Sequence, residues 1–370
     1  MKALVIGGTG PTGPYLVEGL IKRGYDVTIF HRGTHEIDLP EGVGHIHGDP
    51  HFLETIGEAL GERQFDLVIA TYGRLRYIAE FMRFRTQRFI GIGGVGLYKG
   101  YMDPNHNPPG GLKIPTSEDD PLVTDPELMH FSYLMYVSEQ AVMQAHNEGC
   151  YNATIFRYPA VYGPRQIIPI EWSIIRRIID GRKHIIIPDG GLTIDTRGYA
   201  ENMAHAVLLA VDKPEKASGQ IYNSGDEELF SLYEWIMMIT EIMGHEWEIV
   251  NMPREIALPC QHFLGLSCST LHKVFDITKI KKELGYKDLV PPKEALRQTV
   301  TWYLENKPEP GGEIEKRLRD PFAYQAEDQI IKAYREATDR ILQIPYRVEN
   351  PYHPYAHPKE SKRARDHRER

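Results

Sequence analysis

Met1-Lys2-Ala3-Leu4-Val5-Ile6-Gly7-Gly8-Thr9-Gly10-Pro11-Thr12-Gly13 opens the chain, and the reading of this stretch decides the fold. Ala3 to Ile6 is an apolar run of strand length. Glycines suited to a tight turn come next, then a helical pattern through Tyr15, Leu16, Leu20 and Ile21. A second short strand, Val27-Thr28-Ile29-Phe30, ends in His31-Arg32. Strand, glycine turn, helix and strand make the first unit of a dinucleotide-binding sheet. Glycine is required because a pyrophosphate must approach the backbone where a Cβ would collide. Amides at the helix start then face that anion.

Working outward, a polar loop leads to a third strand around Val43 to His47, closed by Gly48-Asp49. Phe52 to Leu60 reads as a helix and Phe65 to Ala70 as a fourth strand. Arg74 to Thr86 reads as a basic amphipathic helix, and Arg88 to Ile92 opens a fifth strand. Continuous apolar runs in the strands suit a sheet covered on both faces. Strands alternating with helices predict an α/β fold, a Rossmann-type doubly wound parallel sheet. Asp125-Pro126-Glu127 announces a further helix, by its cap and first-turn proline, running to about Glu148.

Composition bounds the partners. With 41% hydrophobic and 25% charged residues among 370, the chain is an ordinary globular sequence able to bury a sizeable core. A net charge of −8 gives no basic face for nucleic acid or an acidic membrane. Cys150, Cys260 and Cys268 are too few and scattered for a disulfide framework, which fits a reducing compartment. No signal peptide is expected before the first strand, and no apolar run is long enough to cross a bilayer. The expectation is a cytoplasmic enzyme-like protein with a small-molecule substrate.

The spacing Gly7-x-x-Gly10-x-x-Gly13 resembles the extended short-chain dehydrogenase/reductases, the family of NAD-dependent epimerases and dehydratases. Further motifs match in register. They are Arg157-Tyr158-Pro159-Ala160-Val161-Tyr162-Gly163-Pro164, Arg197-Gly198-Tyr199-Ala200-Glu201-Asn202-Met203-Ala204, Gly219 to Asn223, and Glu283-Leu284-Gly285-Tyr286. The resemblance covers roughly residues 1 to 306. It implies a dinucleotide held by Gly7, Thr9, Gly10, Pro11, Thr12 and Gly13, with Asp49 beside the adenine ring and Ala70 at the end of the fourth strand. Asp49 also suits a helix N-cap. In the family an acidic residue after the second strand holds the adenosine ribose of NAD. Here His31 and Arg32 occupy that place, and a guanidinium suits a 2′-phosphate, so NADP is expected over NAD.

The same resemblance implies a tyrosine and a lysine four residues on, with a serine or threonine at the end of the fifth strand. Matching positions hold Phe131, Met135 and Gly94. The nearest hydroxyls on that helix are Tyr133 and Tyr136, with His130 just before them. A tyrosine displaced along this helix is similar to the progesterone 5β-reductase and iridoid synthase branch, which adds hydride to conjugated enones. One expectation is therefore an NADP-dependent oxidoreductase, or a hydride-transfer isomerase, with Tyr136 or Tyr133 as an unusual proton donor. The alternative is a catalytically inactive dinucleotide-binding sensor or regulator, and packing or interface aromatics remain the other role for the two tyrosines. Met82, Tyr98, Tyr162, Trp172 and His262 are candidates to line the substrate pocket.

The expected domains are a dinucleotide-binding one from residues 1–163 and 195–225, and a smaller substrate lobe from 164–194 and 226–306. Residues 307–370 form an extension, with one amphipathic helix over Ala326 to Gln343 and a solvated tail from Arg347. Apolar excess on Arg74–Thr86 and Asp125–Glu148, the helices that pair about a two-fold axis in the family, predicts a homodimer. His45 and His47 point the same way by the period of a strand, with His31, His35 and His51 nearby in sequence. No cysteine or paired carboxylate accompanies them, and His353 and His357 fall in the tail, so no metal is assigned.

Overall fold

A computed structural model describes residues 1–347 and 357–365. The opening stretch forms β1 (Lys2–Ile6), a glycine turn and α1 (Gly13–Lys22), followed by β2 (Asp26–His31) and β3 (Gly44–His47). Gly7 and Gly8 take φ of +104° and +87°, in the region only glycine enters easily. A Cβ on Gly13 would stand 2.2 Å from the Gly8 carbonyl oxygen, so helix and turn touch there. By contrast, a Cβ on Gly10 would meet nothing within 4 Å.

Next come α2 (Leu53–Leu60), β4 (Phe65–Ala70), α3 (Leu75–Phe81), β5 (Thr86–Gly94), α4 (His130–Asn147), β6 (Asn152–Tyr158) and β7 (Ala160–Tyr162). Then follow α5 (Ile170–Ile179), β8 (His184–Pro188), β9 (Ile194–Asp195), β10 (Arg197–Tyr199), α6 (Ala200–Asp212) and β11 (Gln220–Asn223). The central sheet has seven parallel strands in the order β11-β6-β5-β4-β1-β2-β3. Strand order reverses between β1 and β4, and such folds bind ligands at the carboxyl ends there. One face packs Leu16, Leu20, Met203 and Val207 against the sheet, the other Ile56, Ile78, Val142 and Ala145. This is the doubly wound α/β sheet expected from the sequence.

Two helices differ from expectation. The helix expected over Arg74–Thr86 ends at Phe81, because Phe84 turns left-handed at φ +57° and sends Thr86 into β5. The helix expected from Asp125 starts at His130. Asp125 instead closes a local turn, its carboxylate accepting from the Glu127 amide and its carbonyl from Leu128.

After β11 the chain adds β12 (Phe230–Ser231), α7 (Leu232–Met243), β13 (Glu248–Met252), α8 (Thr278–Leu284), α9 (Pro292–Glu305) and α10 (Glu313–Leu318). β13 pairs in parallel with β8, and α5, α7 and α9 pack together. Met1–Ala323 is one compact unit and Tyr324–Arg370 a second, in which the expected amphipathic helix forms as α11 (Tyr324–Leu342). The tail reading at residues 348–356, His353 included, and at 366–370 lies outside the described residues.

The turn makes a stability prediction. Gly13→Ala forces the Gly8 carbonyl aside and should cost about 1–3 kcal/mol in urea unfolding. Gly10→Ala adds a methyl to open space and should change stability by less than about 0.5 kcal/mol, while still weakening dinucleotide binding.

Candidate active site

β5 runs to Gly94 and a short turn, Val95–Leu97, carries the chain out at the carboxyl end of the sheet. α4 lies across this exit, held by a buried ion pair. Arg157, near the end of β6, donates through Nε to Glu139 Oε1 at 3.0 Å and through Nη2 to Oε2 at 2.8 Å. Both side chains are 2% exposed, so neither charge has water as a substitute partner. Arg157 also donates to the Tyr98 hydroxyl, which in turn donates to Asn223 Oδ1 at 2.7 Å. Burial works against the Arg157 charge, but Glu139 outweighs it and holds the guanidinium above its ordinary pKa.

So fixed, α4 turns Phe131 and Met135 toward the β5 exit. A Cβ on Gly94 would meet Met135 Cε at 3.2 Å, and one on Gly96 would meet Met135 Sδ at 3.4 Å and Phe131 at 3.8 Å. These four residues form one wall of a cleft of about 380 Å³. Spaced i and i+4, Phe131 and Met135 share a helix face. Tyr133 and Tyr136 lie on other faces of α4, half-buried, with ring centroids 6.5 Å apart, and do not line the cleft.

Away from α4 the cleft is lined by apolar residues such as Val161, Ile167 and Phe263, together with a polar set of Tyr101, Glu171, Asp195, Arg197, His262 and Lys273. Lys273 is buried and donates from Nζ to the Leu264 carbonyl at 2.8 Å, with Tyr101's ring 5.9 Å away. Burial lowers the Lys273 amine below its ordinary pKa, against the pull of Asp195. Burial likewise raises the Glu171 carboxyl and brings His262 down to about 4, so that imidazole is neutral at pH 7. Of the sequence-expected lining residues, Tyr162 and His262 reach the cleft. Met82 is instead buried under α3, Tyr98 belongs to the Arg157 network, and Trp172 donates to Glu315. Lys273 and Tyr101 escaped sequence reading because neither sits in a recognisable spacing; only the fold brings them to the cleft.

At the carboxyl end of β1, on the same edge of the sheet, the turn Gly7–Gly13 has its open side at Gly10 and the α1 amides behind it, which fits a pyrophosphate. Thr12 is buried at the start of α1, with Thr9 and Pro11 partly exposed on the turn and Ala70 buried at the end of β4. Arg32 lies over the Tyr72 ring at 5.5 Å and, among the described residues, makes no ion pair. Asp49 does not cap α2, whose N-cap is Phe52. It accepts instead from the amide and ring of His51, and this lowers its carboxyl despite desolvation. His31 is buried, its Nε2 3.4 Å from His45 Nδ1.

Residues 78–225 match the NAD dependent epimerase/dehydratase family. The 3beta-hydroxysteroid-dehydrogenase/decarboxylase isoform 2 of Arabidopsis thaliana is 27% identical over 191 residues, 44% of this chain and 33% of that protein. The chloroplast stem-loop binding protein of 41 kDa b from the same plant is 27% identical over 247 residues, 61% of this chain and 59% of that one. The chain thus spans less than two thirds of either relative. A solved UDP-glucose 4-epimerase from Thermotoga maritima, with UDP-glucose, superposes with a TM-score of 0.67 at 20% identity, over 83% of this chain and 99% of that one. The family read from the glycine turn and later motifs is the one these comparisons return, and the fold is the same.

A carboxyl beside the cleft gives a pH test. Asp226 accepts from the Tyr199 amide and Asn202 through Oδ1, both at 3.0 Å, while Oδ2 is buried beside Tyr162 without a hydrogen bond. Burial pushes this carboxyl up to about 7. Its folded pKa exceeds the unfolded value, so its contribution is full below about pH 4 and is lost as pH rises through 7. Asp226→Asn should therefore match the parent near pH 4 and exceed it at pH 8 by about 1–4 kcal/mol, read from urea unfolding at both pH values.

Proposed function

We propose that this protein is an NADP-dependent oxidoreductase, or an isomerase using transient hydride transfer, acting on a small carbonyl or enone compound. One observation carries the reading: an intact phosphate turn stands at the same carboxyl edge of the sheet as a cleft whose α4 side, Gly94, Gly96, Phe131 and Met135, offers no ionisable group. A substrate needing little acid assistance suits that wall. Hydride addition to an activated double bond leaves its charge on an oxygen some atoms away, where a donor across the cleft reaches it. A bound dinucleotide supplies the hydride. The chain's own residues hold and orient: the Gly7–Gly13 turn takes the pyrophosphate, Arg32 pairs with a 2′-phosphate, and residues 164–194 and 226–306 close the substrate side.

The proton comes, in this reading, from the polar residues of the cleft lining. Burial makes the Lys273 amine a readier donor than an exposed lysine, and the Tyr101 ring lies beside it. Tyr133 and Tyr136, the donors expected from sequence, are assigned instead to a contact between two copies, because α3 and α4 pack side by side and leave both rings half-buried away from the cleft. The alternative, a dinucleotide-binding protein without turnover, draws on the same bare wall and on the name of the stem-loop binding relative.

Three outcomes check this. Arg32→Ala should weaken NADPH by about 1.5–3 kcal/mol and leave NADH nearly unchanged, by titration calorimetry; equal losses would sink the NADP assignment. In a screen of enones and small ketones with NADPH, Lys273→Met should slow turnover roughly 100-fold, while Tyr133→Phe and Tyr136→Phe should not. Binding without turnover on any substrate would leave the alternative standing. Light scattering at micromolar concentration should give the mass of two chains.

A further inference from the structure

Parallel pairing sets Ile29 beside His45 and His31 beside His47, and places all three imidazoles on one face of the β2–β3 edge. The loop between these strands then returns Glu36 to the same point. His31 Nε2 lies 3.4 Å from His45 Nδ1 and 3.9 Å from Glu36 Oε1. His47 Nε2 lies 3.2 Å from Glu36 Oε1, and His45 Nδ1 3.9 Å from Oε2. One ligand atom from each of the four side chains falls within 4.8 Å of all the others.

A tetrahedral zinc site with metal–ligand bonds of about 2.0–2.1 Å has ligand–ligand edges of about 3.3–3.4 Å. With Glu36 Oε1 as the carboxylate ligand, three of the six edges, at 3.2, 3.4 and 3.9 Å, bracket that value, and one ligand atom from each side chain lies within 4.8 Å of the others. Three imidazoles and one carboxylate form a nitrogen-rich set suited to zinc rather than to calcium or magnesium, which take oxygen ligands. Among the described residues, the ion-pair partners of Glu36 are these three histidines alone, so its carboxylate is directed into the cluster.

We propose that His31, Glu36, His45 and His47 bind one zinc ion in tetrahedral geometry and so clasp the loop after β2 to the sheet edge, beside the dinucleotide's expected adenosine end. Without the ion, the Gly33 amide donates to His31 Nδ1 at 3.3 Å, which leaves the imidazole proton on Nε2, shared toward His45. Loading moves that proton to Nδ1 and releases the Gly33 amide. Gly33, at φ +71°, is the loop residue freest to turn its peptide away. With four protein ligands the ion has no open position, so its role is to order the loop rather than to activate water. The inference is independent of the proposed reaction.

The test uses the full chain, stripped with a chelator and titrated with cobalt(II) as a spectroscopic stand-in for zinc. The expected result is the intense visible absorption of tetrahedral cobalt, saturating at one ion per chain and bleached by an equivalent of zinc. His47 and Glu36 are largely exposed, so His47→Ala and Glu36→Gln should fold as the parent does, as circular dichroism will verify. Loss of the absorption in His47→Ala, with weaker binding in Glu36→Gln, supports the site. A parent spectrum of octahedral, weakly absorbing cobalt, or tetrahedral absorption that survives His47→Ala, overturns it.

Discussion

The candidate site depends first on the buried pair between Arg157 and Glu139. It joins the end of a central strand to the middle of α4, and with Tyr98 and Asn223 it ties in the exit of β5 and the edge strand β11. A bidentate pair with no water around it is strict about distance and angle. Removing one partner would strand a charge in the interior, a loss of about 3–5 kcal/mol. The pair therefore fixes the rotation of α4, and that rotation decides which side chains meet the cleft.

What α4 shows the cleft is apolar. Phe131 and Met135 fill the space that Gly94 and Gly96 leave open, so the missing side chains on the strand and the large ones on the helix are complementary in volume. A side chain at Gly94 or Gly96 would collide with or crowd Met135, within 3.2–3.4 Å of its thioether end, so glycine there makes room for it. The cleft's polar lining is electrically muted, because burial shifts Lys273, Glu171 and His262 toward their neutral forms.

Local rules made much of this legible in sequence. The glycine turn declared itself because sterics leave no other residue for Gly7, Gly8 and Gly13. The period-two pairing of His45 with His47 was readable for the same reason. Start and stop points were harder: Asp125 looks like a helix cap, but its carboxylate was spent on a turn of its own. Long-range placement was hidden altogether. Nothing near Lys273 signals that it meets Tyr101, which is more than a hundred residues away in the chain, and nothing near Glu36 signals a partnership with His47 until the register of β2 and β3 is known. The placement of Tyr133 and Tyr136 relative to the cleft was hidden in the same way, since one residue's shift along α4 moves a side chain by about 100° of helix.

The most direct test of the central claim is a crystal structure with NADPH and an enone substrate analogue, read for the polar group nearest the analogue's oxygen. The account predicts the Lys273 amine or the Tyr101 hydroxyl within hydrogen-bond reach, with Phe131, Met135 and Gly94 flanking the nicotinamide. A Tyr133 or Tyr136 hydroxyl turned into the cleft and bonded to that oxygen would contradict it.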